Sequence, residues 1–182
     1  MGEIIKSEPV KYFCGIIFND AGDLTSVKKE LSGNFGEIDS EFGPVHFKWT
    51  DYYNAEMGSE LQKAFVSFKD LRQKEAAPDF KIASNEIEQK FMKDSARNVN
   101  LDPGYIEMSK LILMTTKNFS HRIFIGKDIY AEVTLILRNG RWDSLDWTYP
   151  DFKSPEYIEY FKKLREIYRV QMKSIKSNPH QI

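Results

Sequence analysis

Apolar residues in the first half of the chain are spaced as in strands and in one amphipathic helix. The run Tyr12–Phe18 is apolar and aromatic, which is typical of a buried strand, and Val45–Thr50 and Ala64–Phe68 predict two further strands. Between the first two strands, turn residues at 20–23 precede apolar positions that recur every three or four residues. Such spacing places these positions on one face of a helix: Leu24, Val27, Leu31 and Phe35.

A second helix is predicted further along, with Ser84 or Asn85 as its N-cap. Glu88 stands three residues after Asn85 and completes a capping-box pattern, so that Ile87 and Phe91 would face the core. The resulting order, β-α-β-β-α, is compatible with a ferredoxin-like N-terminal half.

The segment 100–118 carries two different signals. Asp102-Pro103-Gly104 is typical of a turn, because proline presets φ and glycine accepts positive φ. In Glu107–Asn118 the apolar spacing fits a helix, whereas Leu111–Thr116 would also make a buried strand. The helix is the favoured prediction for this segment.

The clearest strand pattern lies at Ile129–Arg138, where apolar residues alternate with others. Asn139-Gly140 is the preferred pair for a type I′ turn, because both turn positions need positive φ, and it would bring Arg141 opposite Arg138. A turn at Lys127-Asp128 and a strand beginning near Arg122 would complete a three-stranded antiparallel meander. One face of the long strand is predicted to carry Ile129, Ala131, Val133, Leu135 and Leu137.

A long helix is predicted at the end of the chain. Ser154 can cap it, Pro155 suits its first position, and Glu156 complements the positive end of the helix dipole. Its apolar stripe consists of Tyr157, Phe161, Leu164, Tyr168 and Met172.

Together these elements predict an α+β fold. We expect a single domain over residues 1–182, with an antiparallel sheet, helices mainly on one side, a ferredoxin-like N-terminal half, a β-meander and a long C-terminal helix. Residues 1–8 and 176–182 are expected to be frayed ends. Of the 182 residues, 41% are hydrophobic and 29% charged, a balance that supports a buried core and argues against disorder.

Charge and cysteine content limit the partners and the compartment. The formal net charge of −1 gives no general attraction to nucleic acid or to anionic membranes. No apolar run approaches the roughly 20 residues that span a bilayer, and the N-terminus lacks the apolar core of a signal peptide. Cys14 is the single cysteine, so it cannot form a disulfide within the chain, and its apolar surroundings predict a buried, inert thiol. We therefore predict a cytoplasmic protein without membrane or nucleic acid partners.

The best candidate for chemistry is the Lys-Asn-Phe-Ser-His-Arg segment at 117–122. Lys117 offers a point charge and Arg122 a bidentate fork, and both suit the phosphate or carboxylate group of a small anionic ligand. His121 is the candidate acid–base group, since histidine accepts and releases protons near neutral pH. Glu132, on a neighbouring predicted strand, or Asp102, at its predicted turn, would orient it. This reading predicts an acid–base enzyme.

Three other interpretations stay open. The same cationic group could bind a nucleotide-like ligand without catalysis, with contacts from Tyr52, Tyr105, Tyr130 and Tyr149. The terminal helix or a sheet edge could bind a protein partner. A purely structural role is also compatible, because Arg122 and Glu132 on neighbouring strands would form an ordinary ion pair.

The motifs that are absent narrow the possible classes of function further. No P-loop and no Gly-x-Gly-x-x-Gly sequence is present, so neither a nucleoside triphosphate loop nor a Rossmann dinucleotide site is predicted. Histidine and cysteine residues do not occur at metal-ligand spacings, so no metal site is predicted. The sequence does not specify a cofactor.

Several phrases resemble a known family. They are Asn-Leu-Asp-Pro-Gly-Tyr at 100–105, Thr-Thr-Lys at 115–117, Ile-Tyr-Ala-Glu at 129–132 and Trp-Thr-Tyr-Pro-Asp at 147–151. In this order they resemble the small bacterial and archaeal proteins grouped as domain of unknown function 4416, over nearly the whole chain. That family usually has Asp-Gly where this chain has Lys127-Asp128. The resemblance carries no active site over to these residues.

Overall fold

An eight-stranded antiparallel sheet organises the protein in the computed structural model, which describes residues 2–20, 22–93 and 96–177. The strands are β1 (Lys11–Phe18), β2 (Ile38–His46), β3 (Gln62–Phe68), β4 (Val99–Ile106), β5 (Lys110–Thr115), β6 (Ile123–Gly126), β7 (Ile129–Arg138) and β8 (Arg141–Ser144). The helices are α1 (Leu24–Phe35), α2 (Asn54–Met57), α3 (Ala77–Lys90) and α4 (Pro155–Ser177). The predicted α+β fold with a long C-terminal helix is confirmed. The ends predicted to fray fall partly outside the described residues, at 1 and 178–182.

The N-terminal half has the predicted ferredoxin-like order. Its strands lie in the sequence β2-β3-β1-β4, every neighbour is antiparallel, and α1 and α3 pack on the same face. Side chains alternate along β1, so Tyr12, Cys14 and Ile16 enter the core beneath these two helices. Asp23 caps α1 by accepting a hydrogen bond from the Thr25 amide at 2.9 Å, as the turn residues predicted.

Helix α4 covers the opposite face of the sheet. Phe13 and Phe65 point to this side and pack against its predicted stripe, all of which is buried. Ser154 caps the helix, because its hydroxyl oxygen accepts the Tyr157 amide at 3.4 Å and its carbonyl oxygen accepts the Ile158 amide at 3.0 Å. The prediction that helices lie mainly on one side is therefore corrected: the sheet is sandwiched between α1 and α3 on one face and α4 on the other.

Two N-terminal elements begin earlier than predicted. Strand β2 occupies Ile38–His46 instead of Val45–Thr50, because its alternating half-buried residues pair with β3 along the sheet edge. Helix α3 starts at Ala77 with Pro78 in its first turn. Ser84 is no cap, since its hydroxyl donates within the helix to the Phe80 carbonyl at 2.8 Å.

The segment 99–115 forms two strands, so the predicted turn at Asp102-Pro103-Gly104 and the predicted helix at Glu107–Asn118 are both wrong. All eight residues of β4 pair with β1, and tertiary pairing outweighs the local turn preference. Gly104 suits this strand for a packing reason, because a Cβ atom there would lie 2.4 Å from the Ile112 carbonyl oxygen. In β5 the apolar run is buried on both faces, which removes the alternation that marks a strand.

The β7–β8 hairpin has the predicted turn and register. Asn139 and Gly140 both have positive φ, and Arg138 pairs with Arg141. The turn at Lys127-Asp128 is also confirmed, with positive φ at both positions. The predicted single apolar face is wrong, because a register shift beside Thr134 in the β5–β7 ladder moves Leu135 to the α4 side while Ile129 faces α3. Strands β6 and β8 share one edge of β7, since β5 occupies its other edge.

Candidate ligand-binding cleft

A gap between β4 and β5 opens into a cleft of about 930 Å³. The two strands pair only from Gly104 to Ile106, so the residues of β4 before Gly104 have partners in β1 but not in β5. The walls are formed by three chain segments, by residues of the strands and by helix α3. The segments lie within 47–56, 115–117 and 149–152. The strands contribute Lys63, Asn100, Asp102, Leu113 and Glu132, and the helix contributes Lys81, Asn85 and Glu88. The cleft therefore reaches through the sheet to α3.

Glu132 is the centre of a hydrogen-bonded group at one wall. Its side chain is buried, and its Oε2 atom accepts a hydrogen bond from Nε of Arg122 at 2.7 Å and lies 3.2 Å from Nε2 of His121. Arg122 also donates to the Lys117 carbonyl at 3.0 Å and to the Tyr149 hydroxyl at 2.9 Å. Arg122 thus fixes the loop after β5 against both β7 and the segment that precedes α4.

The second oxygen of Glu132 has no hydrogen-bond partner among the described residues. Oε1 is buried and accepts no hydrogen bond from any described residue. Buried carboxylate oxygens are nearly always hydrogen-bonded, and Glu132 lines the cleft. This oxygen is therefore a ready acceptor for a donor group that enters the cleft.

Lys117 stands exposed at the mouth of the cleft. Its Nζ atom donates to the Tyr52 hydroxyl at 2.5 Å and lies 4.9 Å from the centre of the Tyr52 ring. Within the described part of the chain, no carboxylate lies within 4.0 Å of it. Residues 116–122 form a loop between β5 and β6, so Lys117 and His121 lie at the mouth of these strands.

His121 is held beside the cleft and not in its wall. Its ring lies parallel to the Trp147 indole at 5.0 Å, with an interplanar angle of 10°, while Phe119 packs edge-on at 5.4 Å. Its polar contact is with Glu132. His121 is therefore placed to act on Glu132 and not directly on a molecule in the cleft.

The floor of the cleft is formed by Lys63, whose buried side chain lies between two carboxylates. Its Nζ atom lies 3.2 Å from Oδ2 of Asp102 and 3.7 Å from Oδ2 of Asp151. The Lys63 side chain is 1% exposed, whereas 30% of the Asp102 side chain is open. Gly15 makes room for this amine, since a Cβ atom there would lie 3.2 Å from Lys63 Nζ. Aromatic rings enclose the ammonium group: Phe47, Phe65 and Phe152.

The two carboxylates next to Lys63 have opposite pKa shifts. Burial alone would raise the pKa of Asp102, but the nearby Lys63 and Lys81 ammonium groups outweigh it and hold the pKa below its ordinary value. Burial raises the pKa of Asp151 despite the attraction of Lys63, and the charge of Asp102 adds to that rise. Asp102 is therefore the stronger acid of the two carboxyl groups beside Lys63.

The α3 side of the cleft adds a second set of charged groups. Lys81 is buried and donates to the Leu101 carbonyl at 2.9 Å. Glu88 accepts the Leu101 amide at 2.6 Å, and burial raises its pKa. Arg97 contacts Glu56 at 2.8 Å near the opening.

Of the predicted site residues, the structure gathers most around this cleft and separates two. Asp102, Glu132, Lys117, Tyr52 and Tyr149 line it, and His121 and Arg122 contact Glu132. The other two predicted ligand contacts are not in the wall: Tyr105 packs against Tyr12 beneath α3, and Tyr130 packs against Phe124 near the β6 edge.

Sequence reasoning missed Lys63, Lys81 and Asp151. Lys63 immediately precedes the predicted strand Ala64–Phe68, and a lysine beside a buried strand was a usable signal. Asp151 ends the phrase Trp-Thr-Tyr-Pro-Asp at 147–151, and nothing in that phrase indicates that it lies near Asp102. No local pattern marks Lys81.

The fold and this cleft describe an α+β protein with a charged, ligand-sized site. The profile of the family described as Domain of unknown function (DUF4416) matches residues 8–168, and the chain belongs to this family. No curated protein and no solved structure shows a significant match to the chain.

Two further features concern membranes and metals. Over residues 2–20, 22–93 and 96–177, no helix has both the length and the apolar character required to cross a membrane. The same residues contain no group of three or more histidine, cysteine or acidic side chains arranged to hold a metal ion.

Proposed function

We propose that this protein is cytoplasmic and binds a small metabolite in the cleft, with a phosphate or carboxylate group of that metabolite at Lys117. The observation that carries the proposal is the placement of Lys117, which Tyr52 holds at the mouth without a carboxylate partner among the described residues. An ammonium group in this state attracts an anion without first breaking an ion pair.

The charges of the walls limit the ligand to one anionic end. Among the residues that the structure describes, four cationic side chains line the cleft, Lys63, Lys81, Arg97 and Lys117, against five acidic ones, Glu56, Glu88, Asp102, Glu132 and Asp151. This near balance disfavours a polyanion such as a nucleoside triphosphate. The inner carboxylates, including the free Oε1 of Glu132, are acceptors that suit hydroxyl or amino groups. A monophosphorylated sugar or a hydroxy acid has this combination.

The dimensions agree with such a ligand. A volume of about 930 Å³ is at the upper end of the range typical of small-molecule sites. Trp49, Tyr52 and Tyr53 line one wall and offer apolar ring surface.

A thermal-shift panel tests the proposal. The panel contains sugar monophosphates, 2-oxo acids, hydroxy acids, nucleoside monophosphates and inorganic phosphate. A ligand present at a hundred times its dissociation constant adds about 2.7 kcal/mol to the free energy of unfolding, which raises the midpoint by several degrees. Lys117→Ala should remove most of the shift. Lys29→Ala is the matched control, because Lys29 is exposed on α1 and does not line the cleft.

The proposal is wrong if no compound in the panel shifts the midpoint. It is equally wrong if Lys117→Ala and Lys29→Ala retain the same shift, because the anion would then bind elsewhere.

The edge of the sheet supports a second candidate function, that of a protein-interaction module. Ile123 and Phe124 on the edge strand β6 are 70% and 57% exposed, and Phe119 beside them is 63% exposed. Size-exclusion chromatography with light scattering, on the purified protein and on Ile123→Lys, would detect self-association through this edge. If both proteins are monomers at all concentrations, this edge does not mediate self-association, and its partner would have to be a different protein.

A further inference from the structure

Two carboxyl groups of opposite character share one buried ammonium group at the floor of the cleft. Lys63 contacts Asp102 and Asp151, so their Oδ2 atoms are no farther apart than the sum of those two contacts, 3.2 and 3.7 Å. Both acids line the cleft with Lys63. A bound molecule that reaches the floor would therefore meet both carboxyl groups at once.

The environments of the two acids differ in a way that suits opposite proton-transfer roles. Asp102 is partly open to the cleft and faces Lys63 and Lys81, with Glu88 on α3 and Asp151 as the other charged groups around it. These cations keep its carboxylate ionised. Asp151 is 7% exposed, and its burial raises its pKa above the ordinary value. Paired carboxyl groups with pKa values driven apart are the usual arrangement of a general base and a general acid.

We propose that Asp102 and Asp151 are the general base and general acid of an enolisation reaction on a carbonyl-bearing ligand, with Lys63 stabilising the developing oxyanion. The inference rests on the proposed function, because the anionic end of the ligand at Lys117 would orient its carbonyl end towards the floor. It extends that function from binding to catalysis and names the ligand class: phosphorylated or carboxylated aldehydes and ketones.

The reaction needs no external oxidant or reductant. Asp102 removes a proton from the carbon next to the carbonyl group, and the electron pair of that C–H bond forms the C=C bond of an enol. The carbonyl π electrons take the proton of Asp151, so Asp102 ends protonated and Asp151 ionised. Asp102 is partly open to the cleft, so the proton it holds exchanges with solvent, and in D₂O a deuteron returns to carbon. Return of the hydroxyl proton to Asp151 restores both carboxyl groups. A buried ammonium group beside the oxygen stabilises the charge that develops between these states.

The surroundings of the floor support a ligand site over a purely structural ion pair. Glu132 lines the same cleft, is 3% exposed, and has an oxygen that accepts no hydrogen bond from the described residues. Buried acceptors are nearly always hydrogen-bonded, so this oxygen supports a site for a ligand that carries a donor group. Glu132 offers a hydrogen bond to a hydroxyl group of the same ligand.

Deuterium exchange gives a direct test. The wild-type protein is incubated in D₂O with dihydroxyacetone phosphate, fructose 6-phosphate, ribose 5-phosphate or pyruvate, and ¹H NMR follows loss of the proton next to each carbonyl. We expect at least one compound that shifts the melting midpoint to exchange about 100-fold faster than without protein. Asp102→Asn and Asp151→Asn should each return this rate to about the level without protein while retaining the thermal shift. Asp20→Asn, at an exposed turn outside the cleft, is the matched control.

The outcomes separate the two proposals. Compounds that bind without exchange, or exchange that survives both asparagine variants, overturn the acid–base pair and leave ligand binding intact. A panel without a binder overturns the proposed function and the pair with it. A ligand-independent measurement completes the test: ¹³C NMR titration of the aspartate carboxyl groups should find Asp102 below and Asp151 above the ordinary pKa. Two ordinary titrations would overturn the pair whatever binds.

Discussion

Arg122 Nε donates a hydrogen bond to Oε2 of Glu132 at 2.7 Å, and through this contact the loop after β5 is anchored to β7 at the wall of the cleft. The side chains are 11% and 2% exposed, so the pair is largely removed from water. The Nη1 atom of Arg122 donates to the Lys117 carbonyl and its Nη2 atom to the Tyr149 hydroxyl. Arg122, which the sequence predicted to bind an anion, therefore holds the parts of the site together through these contacts.

Loss of Arg122 should destabilise the protein strongly. Arg122→Ala leaves the Glu132 carboxylate buried without its main partner, and removing one member of a buried pair costs about 3 kcal/mol or more in the free energy of unfolding. Urea unfolding at neutral pH measures this loss. Arg169→Ala is the control, since Arg169 pairs with Glu166 on the exposed face of α4 and should change stability little. Equal effects of the two substitutions would contradict the buried role of Arg122.

Asp102→Asn should lower the free energy of unfolding more at neutral pH than at acidic pH. Its pKa lies below the ordinary value of 3.8 because Lys63 and Lys81 outweigh the effect of burial. A lowered pKa contributes stability above the unfolded value, and that stability is lost as the pH falls through the folded pKa. The stability difference between wild type and Asp102→Asn should therefore grow as the pH rises from acid to neutral.

Asp151→Asn should show the opposite dependence of stability on pH. Burial raises its pKa above 3.8, so its contribution is present below the unfolded value and is lost as the pH rises through the folded pKa. Asparagine stays neutral at every pH and does not suffer this loss. Asp151→Asn should gain stability relative to wild type between acid and neutral pH. Parallel trends for Asp102→Asn and Asp151→Asn, in urea unfolding across pH, would show that the two acids are equivalent.

Gly104 should not tolerate a side chain. A Cβ atom there would lie 2.4 Å from the Ile112 carbonyl and 2.6 Å from the Phe13 ring. Gly104→Ala should therefore lower the free energy of unfolding by at least about 2 kcal/mol. Gly33→Ala is the matched control: it lies in α1 with no atom near its Cβ position, and should be neutral or stabilise by up to about 1 kcal/mol. Similar losses at both positions would argue against the close β4–β5 approach.

Cys14 should be unreactive in the folded protein. It is fully buried among apolar residues, and burial raises the pKa of its thiol, with a further rise from Asp102. Ellman's reagent should detect no thiol in native protein and one thiol per chain in guanidinium. Rapid labelling of the native state would require the core around β1 to open readily.

Local chemistry accounts for the elements that were predicted correctly. Helices α1 and α4 have capping residues and apolar stripes within one stretch of chain, and Asn139-Gly140 determines its turn through backbone preference alone. The cluster of Lys117, Arg122 and Glu132 could also be predicted from the sequence, because its members are close along the chain and meet across neighbouring strands.

The failures share a different cause. Asp102-Pro103-Gly104 has turn residues, yet pairing with β1 along eight positions makes it a strand. Strand β5 lost its alternation because helices cover both faces of the sheet. Lys63, Asp102 and Asp151 come from three distant segments, so no spacing in the chain could indicate that they share one site.

The sequence by itself determined the family, the α+β class, the ferredoxin-like order, the long terminal helix and the charged loop at 117–122. These follow from patterns within short stretches, where capping, periodicity and turn preference act locally. Only the tertiary structure decided that α4 covers the second face, that β4 and β5 separate to open a cleft, and that Lys63 lies between two unlike acids. Long-range strand pairing and burial produce these features, and both depend on residues that are neighbours in space but not along the chain.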